Sequence, residues 1–557
     1  MRIDRLWIKS FKNLKDFEVD FDVTSSRQVV VGRNGVGKSN LLEALARIFR
    51  ELDLEEPPTF VYVIEYHCNS HYVKVSAEET VRDAPNAEPT LTRSYGILKD
   101  NGAPRETHVE REYKLVKQAE FYKRNRPIRG RVNPQRLLPQ YVFGYYSGVS
   151  GRFNEVFARH EERYYRDQIT GEEAPLRPLF LAKPHHSQFA LLSFFASRDE
   201  LATKFLKQEF RVEGLASVLF SLHEPYWKRP RPREKSPSYV DERFWQAGGK
   251  VAKFLDKLYL CSFAPMSGKQ RHRLSIGQEK TLERRFCFIR GEEALRKLAV
   301  GLEPKEFFAR LESTIFSDLI SPTGYDVRVR IKISGVHGPV TFRELSEGEQ
   351  QLLTIIGLMR FTAQNESLFL LDEPDTFLNP AWSLDYLENL RTYGVEPPDS
   401  QIIMTTHSPL TFAGLNRNEV VVLQRAGDGQ ITCQHPVTAP KGMGFQAILT
   451  SDFFGLRSTL DHETLSKLDE KRELALKDNK TNKDRERLAE LDEELGRLDF
   501  SKAARDPLYI EFIRAMTEAQ GEHSGIKEPA PKMADWRLRK KIAKDIAETL
   551  AGRGEKV

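Results

Sequence analysis

An α/β fold with a mainly helical insertion and a helical C-terminal region is what this 557-residue sequence predicts. Three observations predict it. The first 31 residues show the near-alternating apolar pattern of strands, then run into a glycine-rich turn and a helical pattern. Strand and helix patterns alternate again from Tyr325 to Leu423. From Gly148 to about 330 the pattern is mostly helical, and a Leu-, Glu- and Lys-rich helical stretch follows from Asp461.

In chain order, Ile3, Leu6, Ile8 and Phe11, then Phe17, Val19 and Phe21, read as strands, and Gln28-Val-Val-Val31 as a short buried run. The turn Gly32 to Gly37 follows, and Asn40-Leu-Leu-Glu-Ala-Leu-Ala-Arg-Ile-Phe49 reads as a helix. Residues 59 to 145 look β-rich with polar loops, ending in Tyr141-Val-Phe-Gly-Tyr-Tyr146. From Gly148 to about 330 the pattern is mostly helical, broken by a basic Pro-rich loop at Lys228-Arg-Pro-Arg-Pro-Arg-Glu-Lys235. β character returns at Tyr325-Asp-Val-Arg-Val-Arg-Ile-Lys-Ile333. From Asp461 to Phe500, Leu, Glu, Lys, Asp and Arg dominate, and Leu488, Leu491, Leu495 and Leu498 step like a coiled-coil seam. The polar break Lys477 to Lys483 would turn that segment into a helical hairpin, too short for a long coiled-coil arm. A linker at Gly525 to Pro531 precedes a basic helix, Trp536-Arg-Leu-Arg-Lys-Lys541.

Composition narrows the class without naming it. Lys and Arg total 85 against 80 Asp and Glu, a net charge of +5, too small for this length to announce a nucleic-acid binder. Cys68, Cys261, Cys287 and Cys433 form no C-x-x-C pair and read as reduced structural residues, not a zinc site or a disulfide framework. Neither an apolar run of about 18 residues nor an apolar leader is present, so a cytoplasmic location and no membrane partner are expected.

Four motifs carry chemistry. Gly32-Arg33-Asn34-Gly35-Val36-Gly37-Lys38-Ser39, followed by Asn40, fits G-x-x-x-x-G-K-[ST] at every fixed position. Its glycines let backbone amides curl around phosphates at a helix N-terminus; Lys38 would reach the β- and γ-phosphates of ATP and Ser39 would ligate Mg²⁺. A strand before the loop and a helix after it argue against a chance turn. Ser367-Leu-Phe-Leu-Leu-Asp372-Glu373 reads as a strand buried on both faces with two carboxylates at its end. Asp372 would hold the Mg²⁺ shell and Glu373 would deprotonate water. Taken alone, that pattern is also a common strand end. Leu345-Ser346-Glu-Gly348-Glu349-Gln-Gln351 opens a helix and fits a capping box, Ser346 with Glu349. The same helix start could be offered to a phosphate, and one phosphate loop per chain assigns it to the nucleotide of an opposite subunit. Thr405-Thr-His407-Ser408 follows the apolar run Gln401-Ile-Ile-Met404; a lone histidine is most often structural, but here it falls where it would face the γ-phosphate.

The four motifs, in this order and with a long insertion after the first, resemble the ABC ATPases, specifically the SMC/RecF/OLD-like branch. The resemblance is strong over about 1–60 and 340–425. It implies an ABC-type head in two parts, 1–147 and 331–455, with an insertion at 148–330 and a helical partner-binding region at 456–557. It implies that Lys12 and Asn13 in Ser10-Phe-Lys-Asn-Leu-Lys15 are secondary nucleotide contacts. Leu371-Asp-Glu-Pro-Asp-Thr-Phe-Leu-Asn-Pro380 is similar to the stretch after the carboxylates, with Asn379 where many relatives carry His. Three departures stand out. No glutamine suits the Q-loop, since Gln140 precedes its strand and Tyr146-Ser147-Gly148 occupies the turn. A Toprim-type acidic cluster is missing past Leu423, so no intrinsic nuclease is expected. The insertion is longer than in transporter ATPases.

Phe143-Gly-Tyr-Tyr-Ser-Gly148, Ile448-Leu-Thr-Ser-Asp-Phe-Phe-Gly-Leu456 and the short charged tail resemble the PtuA ATPases of Septu and retron-associated anti-phage systems. That resemblance implies a homo-oligomer, a dimer of heads or larger, and an HNH nuclease subunit of the PtuB kind as partner. A retron reverse transcriptase/msDNA complex or DNA stays open as a further partner. The competing expectation is a RecF/SMC-like ATPase that repairs or clamps DNA itself.

Overall fold

In the computed structural model, residues 1–497 are described apart from 81–89, 101–110, 127–132, 134, 171–176, 198, 226–239, 276–277, 322–324, 363–365, 395–398, 428 and 478. The basic loop at 228–235, Leu498, the linker at 525–531 and the basic helix at 536–541 lie outside the described residues. The chain forms two compact units, Met1–Gly455 and Leu456–Val557.

The first unit is organised by a seven-stranded sheet. Its order is Ile431–Gln434, Val420–Arg425, Arg27–Gly32, Gln401–Thr405, Ser367–Asp372, Tyr141–Tyr146 and Leu179–Leu181. All neighbours are parallel except the Ile431–Gln434 edge. The apolar runs make this possible, because a parallel sheet is covered on both faces. Val29, Val31, Phe369, Leu371, Ile402 and Met404 enter one core, whereas Val30, Leu368, Leu370 and Ile403 enter the other. The helix Lys38–Asp53 supplies the second core with Leu41, Leu42 and Leu45; the helix Glu347–Thr362 supplies the first with Leu352, Leu353 and Ile356. Parallel register then aligns the C-terminal ends of the Arg27–Gly32, Gln401–Thr405 and Ser367–Asp372 strands on one edge. The motif residues leave the sheet there.

A six-stranded antiparallel sheet covers the second core, in the order Leu14–Asp20, Arg2–Phe11, Tyr62–Cys68, His71–Thr80, Thr90–Lys99 and Lys114–Val116. The tight turn between its first two strands, with Lys12 at φ 55, brings Asn13 to the glycine loop.

The insertion holds strands as well as helices. Residues 148–330 contain the helices Arg152–Thr170, His185–Ala196, Glu200–Phe210, Gly249–Cys261, Gly291–Ala299 and Pro304–Phe316, yet also three long strands. Met266–Ser275, Gln278–Arg290 and Val212–His223 join Val327–Ile333 and Val340–Thr341 in a five-stranded antiparallel sheet. The insertion thus carries a sheet beside the expected helices. Alternation is clear only in Val327–Ile333, where Val327, Val329 and Ile331 are buried between exposed Arg328, Arg330 and Lys332. The Leu179–Leu181 strand belongs to the central sheet, so the insertion is also continuous with the core.

In the second unit, the helices His462–Leu476 and Asn482–Arg497 run antiparallel. Arg487 reaches Glu470 at 2.8 Å and Lys467 reaches Glu494 at 2.9 Å. Leu491 and Leu495 are buried and Leu488 half-buried, so the leucine seam faces inward. Asp461 caps the first helix by accepting from the Thr464 amide at 2.9 Å.

Candidate active site

The loop Gly32–Ser39 turns sharply between strand and helix. Gly32 has φ +151 and Gly37 φ +92. A Cβ would meet Leu423 O at 2.4 Å at the first and Asn13 Oδ1 at 2.8 Å at the second, so neither position admits a side chain. Asn13 braces the loop directly. Its Nδ2 donates to Gly35 O at 2.9 Å, and its Oδ1 accepts from Asn40 Nδ2 at 2.5 Å. Lys12 is differently engaged: its ammonium pairs with the buried Glu43 carboxylate at 2.5 Å, pointing to the helix and not the loop. The Arg33 side chain also leaves the loop, donating to Phe454 O at 3.0 Å and Gly455 O at 3.1 Å. This contact gives the Ile448–Leu456 stretch a physical role, since it straps the outside of the loop.

Lys38 is buried beneath the loop and donates to Gly32 O at 2.9 Å and Arg33 O at 3.3 Å. Burial pushes its ammonium down to about 8, against the pull of Glu373 and Asp372. His407 Nε2 lies 2.8 Å from Lys38 Nζ and 3.0 Å from Glu373 Oε1. One ring nitrogen carries either a proton or a lone pair. It cannot donate to Glu373 and accept from Lys38 at once, so the two compete for it.

The carboxylates emerge at the strand end with distinct surroundings. Asp372 is buried and accepts from Thr405 Oγ1 at 2.5 Å and from the Ser39 hydroxyl. Burial raises its pKa. A buried carboxylate whose nearest donors are hydroxyls, one of them Ser39, has the oxygen ligands a hard divalent cation takes. Glu373 is half-buried, and its hydrogen bond from His407 holds it below the usual range, so it is ionised at neutral pH. Its backbone sits at φ 50, a left-handed conformation rare for glutamate. The Glu373 amide donates to Thr405 O at 3.2 Å and Oγ1 at 3.1 Å, which holds the turn. Ser147, at the end of the neighbouring strand, donates its amide to Asp372 O at 3.3 Å. Gln140 is at the opposite end of that strand, bonded to Glu366 O, away from the carboxylates.

Ser346, Gly348 and Glu349 form a separate group at the start of the Glu347–Thr362 helix. Ser346 Oγ and its amide both donate to Glu349 Oε2, at 2.8 and 2.6 Å, and Ser346 is exposed. Gly348 lies against the turn after the carboxylates, where a Cβ would be 2.5 Å from Phe377 O. Gln351 Oε1 accepts from the Phe377 amide at 3.3 Å. Thus Lys38, Ser39, Asp372, Glu373 and His407 meet in one cluster, while the capped helix start stands at the edge of the turn leading from it. Sequence reasoning passed over Thr405, Thr406 and Asp375. The only signal for them was their place beside residues it did select.

Two family models match the chain. Residues 1–123 match "AAA ATPase domain" and residues 333–413 match "AAA domain, putative AbiEii toxin, Type IV TA system". A Septu protein PtuA from Bacillus mycoides (strain KBAB4) is 31% identical over 124 residues, 21% of this chain. The match spans 17% of the length of that relative. Among solved structures, the SMC head domain from Thermotoga maritima aligns at 12% identity and TM-score 0.31, covering 78% of this chain and 99% of that one. An Smc head domain with an extended coiled coil, bound to the C-terminal domain of ScpA from Pyrococcus furiosus, aligns at 11% and 0.31 over 78% and 96%. The two matched segments contain the cluster between them: over these segments the chain is similar to AAA ATPase domains, and over 124 residues to a Septu protein PtuA.

Proposed function

We propose that this chain binds and hydrolyses ATP as the ATPase of an anti-phage defence system of the Septu kind. One observation supports it above the others: the convergence of Lys38, Ser39, Asp372, Glu373 and His407 where three parallel strands end. The loop amides and Lys38 receive the β- and γ-phosphates, with charge-assisted hydrogen bonds replacing the carbonyls that Lys38 now holds. Ser39 and Asp372 would hold Mg²⁺, which when bound neutralises charge on the phosphate oxygens. Glu373, kept ionised by His407, accepts the proton of the attacking water. Phosphate at Lys38 relieves the competition for His407 Nε2 and frees the imidazole to face the γ-phosphate.

The exposed, capped start of the Glu347–Thr362 helix is offered to the nucleotide of a second copy. ATP thereby drives the pairing of two heads, with higher oligomers built from such pairs. Its relation to PtuA supports a separate HNH nuclease as partner, which this ATPase assembles with and controls. Docking falls on the C-terminal region from about Asp461, the part least needed for the ATPase core. A retron complex or DNA is a further partner within the same reading, and the chain itself cuts no nucleic acid. No helix among the described residues is long and apolar enough to cross a membrane, and we place the protein in the cytoplasm.

Glu373→Gln tests the chemistry. ATP affinity is kept while hydrolysis slows by roughly 10²–10⁴-fold, because only the base is lost. Near-wild-type turnover by this variant would remove Glu373 from the role.

A further inference from the structure

The turn after the carboxylates carries another buried acid. Asp375 is 6% exposed. Its Oδ2 accepts from Thr406 Oγ1 at 2.6 Å and from Thr411 Oγ1. The two threonines bracket His407, one directly before it and one in the short helix Pro409–Phe412 behind it. Both are fully buried. Thr406 is tied at three points: its amide donates to Val30 O at 3.2 Å, its hydroxyl donates to Asp375, and that hydroxyl accepts from the Ser408 amide at 2.9 Å. Asp375 is fixed in turn, since its carbonyl accepts from the Leu378 amide at 3.1 Å. The backbone on both sides of His407 is therefore fastened to the turn that begins with Glu373.

A buried carboxylate whose partners are neutral hydroxyls is a costly way to close a turn. Only an acceptor-rich group can take two hydroxyls on one oxygen while donating nothing, which selects an acid over Asn or Ser. The geometric effect is specific. Imidazole, glutamate and lysine contacts of 2.8 to 3.0 Å depend on where the histidine backbone stands.

We propose that Asp375 is a positioning residue for ATP hydrolysis: through Thr406 and Thr411 it fixes the His407 imidazole relative to Glu373 and Lys38. This rests on the ATPase reading above.

A double-mutant cycle on the full chain tests it, reading steady-state hydrolysis beside the affinity of a fluorescent ATP analogue. Asp375→Ala lowers kcat on the order of 10²-fold, the cost of misplacing a catalytic group by about 1 Å, and leaves nucleotide affinity near wild type. Thr411→Val lowers kcat in the same direction, whereas Thr411→Ser, which keeps the hydroxyl, restores it. In a His407→Ala background, Asp375→Ala lowers kcat no further, because the group it positions is gone. A merely structural acid would cost the same factor with and without His407, and that additivity overturns the inference. So does a His407→Ala chain as active as wild type, or a loss confined to affinity. If Asp375→Ala does not fold, as judged by circular dichroism and melting, Thr411→Val goes through the same cycle with the same criteria. A wild-type chain without ATP hydrolysis defeats the parent reading and this inference with it. Normal hydrolysis with an additive cycle defeats this inference alone.

Discussion

Two helix starts in this chain, both of which we propose meet phosphate, are finished differently. At the Lys38–Asp53 helix, the glycine loop, Lys38, His407 and both carboxylates interlock, with Lys38 buried and held by Gly32 O at 2.9 Å and His407 Nε2 at 2.8 Å. At the Glu347–Thr362 helix, the exposed Ser346 closes only a local capping box with Glu349. The first gathers the candidate groups for chemistry; in the second, the Ser346 hydroxyl and amide are both taken up by Glu349, and no cation joins that capping box. The difference teaches how one chain can carry half of each of two sites. In the proposed reading, burial assembles the reactive half, and exposure leaves the other half for a partner.

The comparison breaks most visibly at the exposed end. Ser346→Arg puts a bulky cation where a second copy's γ-phosphate would sit, so turnover falls below detection while each chain binds ATP with unchanged affinity. Turnover that survives this change would detach the capped helix from catalysis. Lys38→Ala has the opposite signature. It removes charge-assisted hydrogen bonds and weakens ATP affinity on the order of 10²-fold, measured by titration with a non-hydrolysable analogue.

Acidity sharpens the contrast further. Burial sets the ligand-free Lys38 at about 8, and phosphate favours the charged ammonium, so the bound form titrates higher. Binding therefore takes up a proton above pH 8. Affinity is flat below that value and weakens about tenfold per pH unit above it, until the bound form itself titrates. Affinity that stays constant to pH 9.5 would contradict the buried, competed state of Lys38. Ser346→Arg should leave this profile unmoved. The smallest effect expected is on nucleic acid: the pure chain, supplied with Mg²⁺ or Mn²⁺, hydrolyses ATP and leaves DNA and RNA intact. Cleavage that persists in Glu373→Gln would place a nuclease site elsewhere in the chain.

What sequence could reveal followed the same divide between local and distant causes. The buried strands were legible because Val29-Val-Val31 and Leu368-Phe-Leu-Leu371 are continuous apolar runs, and the motifs sit at their ends. The helical hairpin was legible from Leu491, Leu495 and the polar break between the helices. The insertion's sheet was not. Val212–His223 buries residues in succession at Gly214-Leu215, Ser217-Val218 and Phe220 to His223, and that pattern lacks a clean period of two. Lys12 pairs with Glu43, 31 residues on, and Asp375 gains its meaning from Thr411, 36 residues on. No spacing rule reaches such partners, because folding, not sequence proximity, brings them together.

Mixing two variants tests whether the two helix starts of one chain serve different nucleotides. Lys38→Ala and Ser346→Arg are each inactive alone. In a mixed pair, one site combines both lesions and the other joins an intact Lys38 loop to an intact Ser346 helix. Steady-state hydrolysis of the mixture, under conditions that let subunits exchange, should recover a substantial fraction of the wild-type rate. A mixture as inactive as its components, with exchange verified by differently labelled chains, would contradict the shared site.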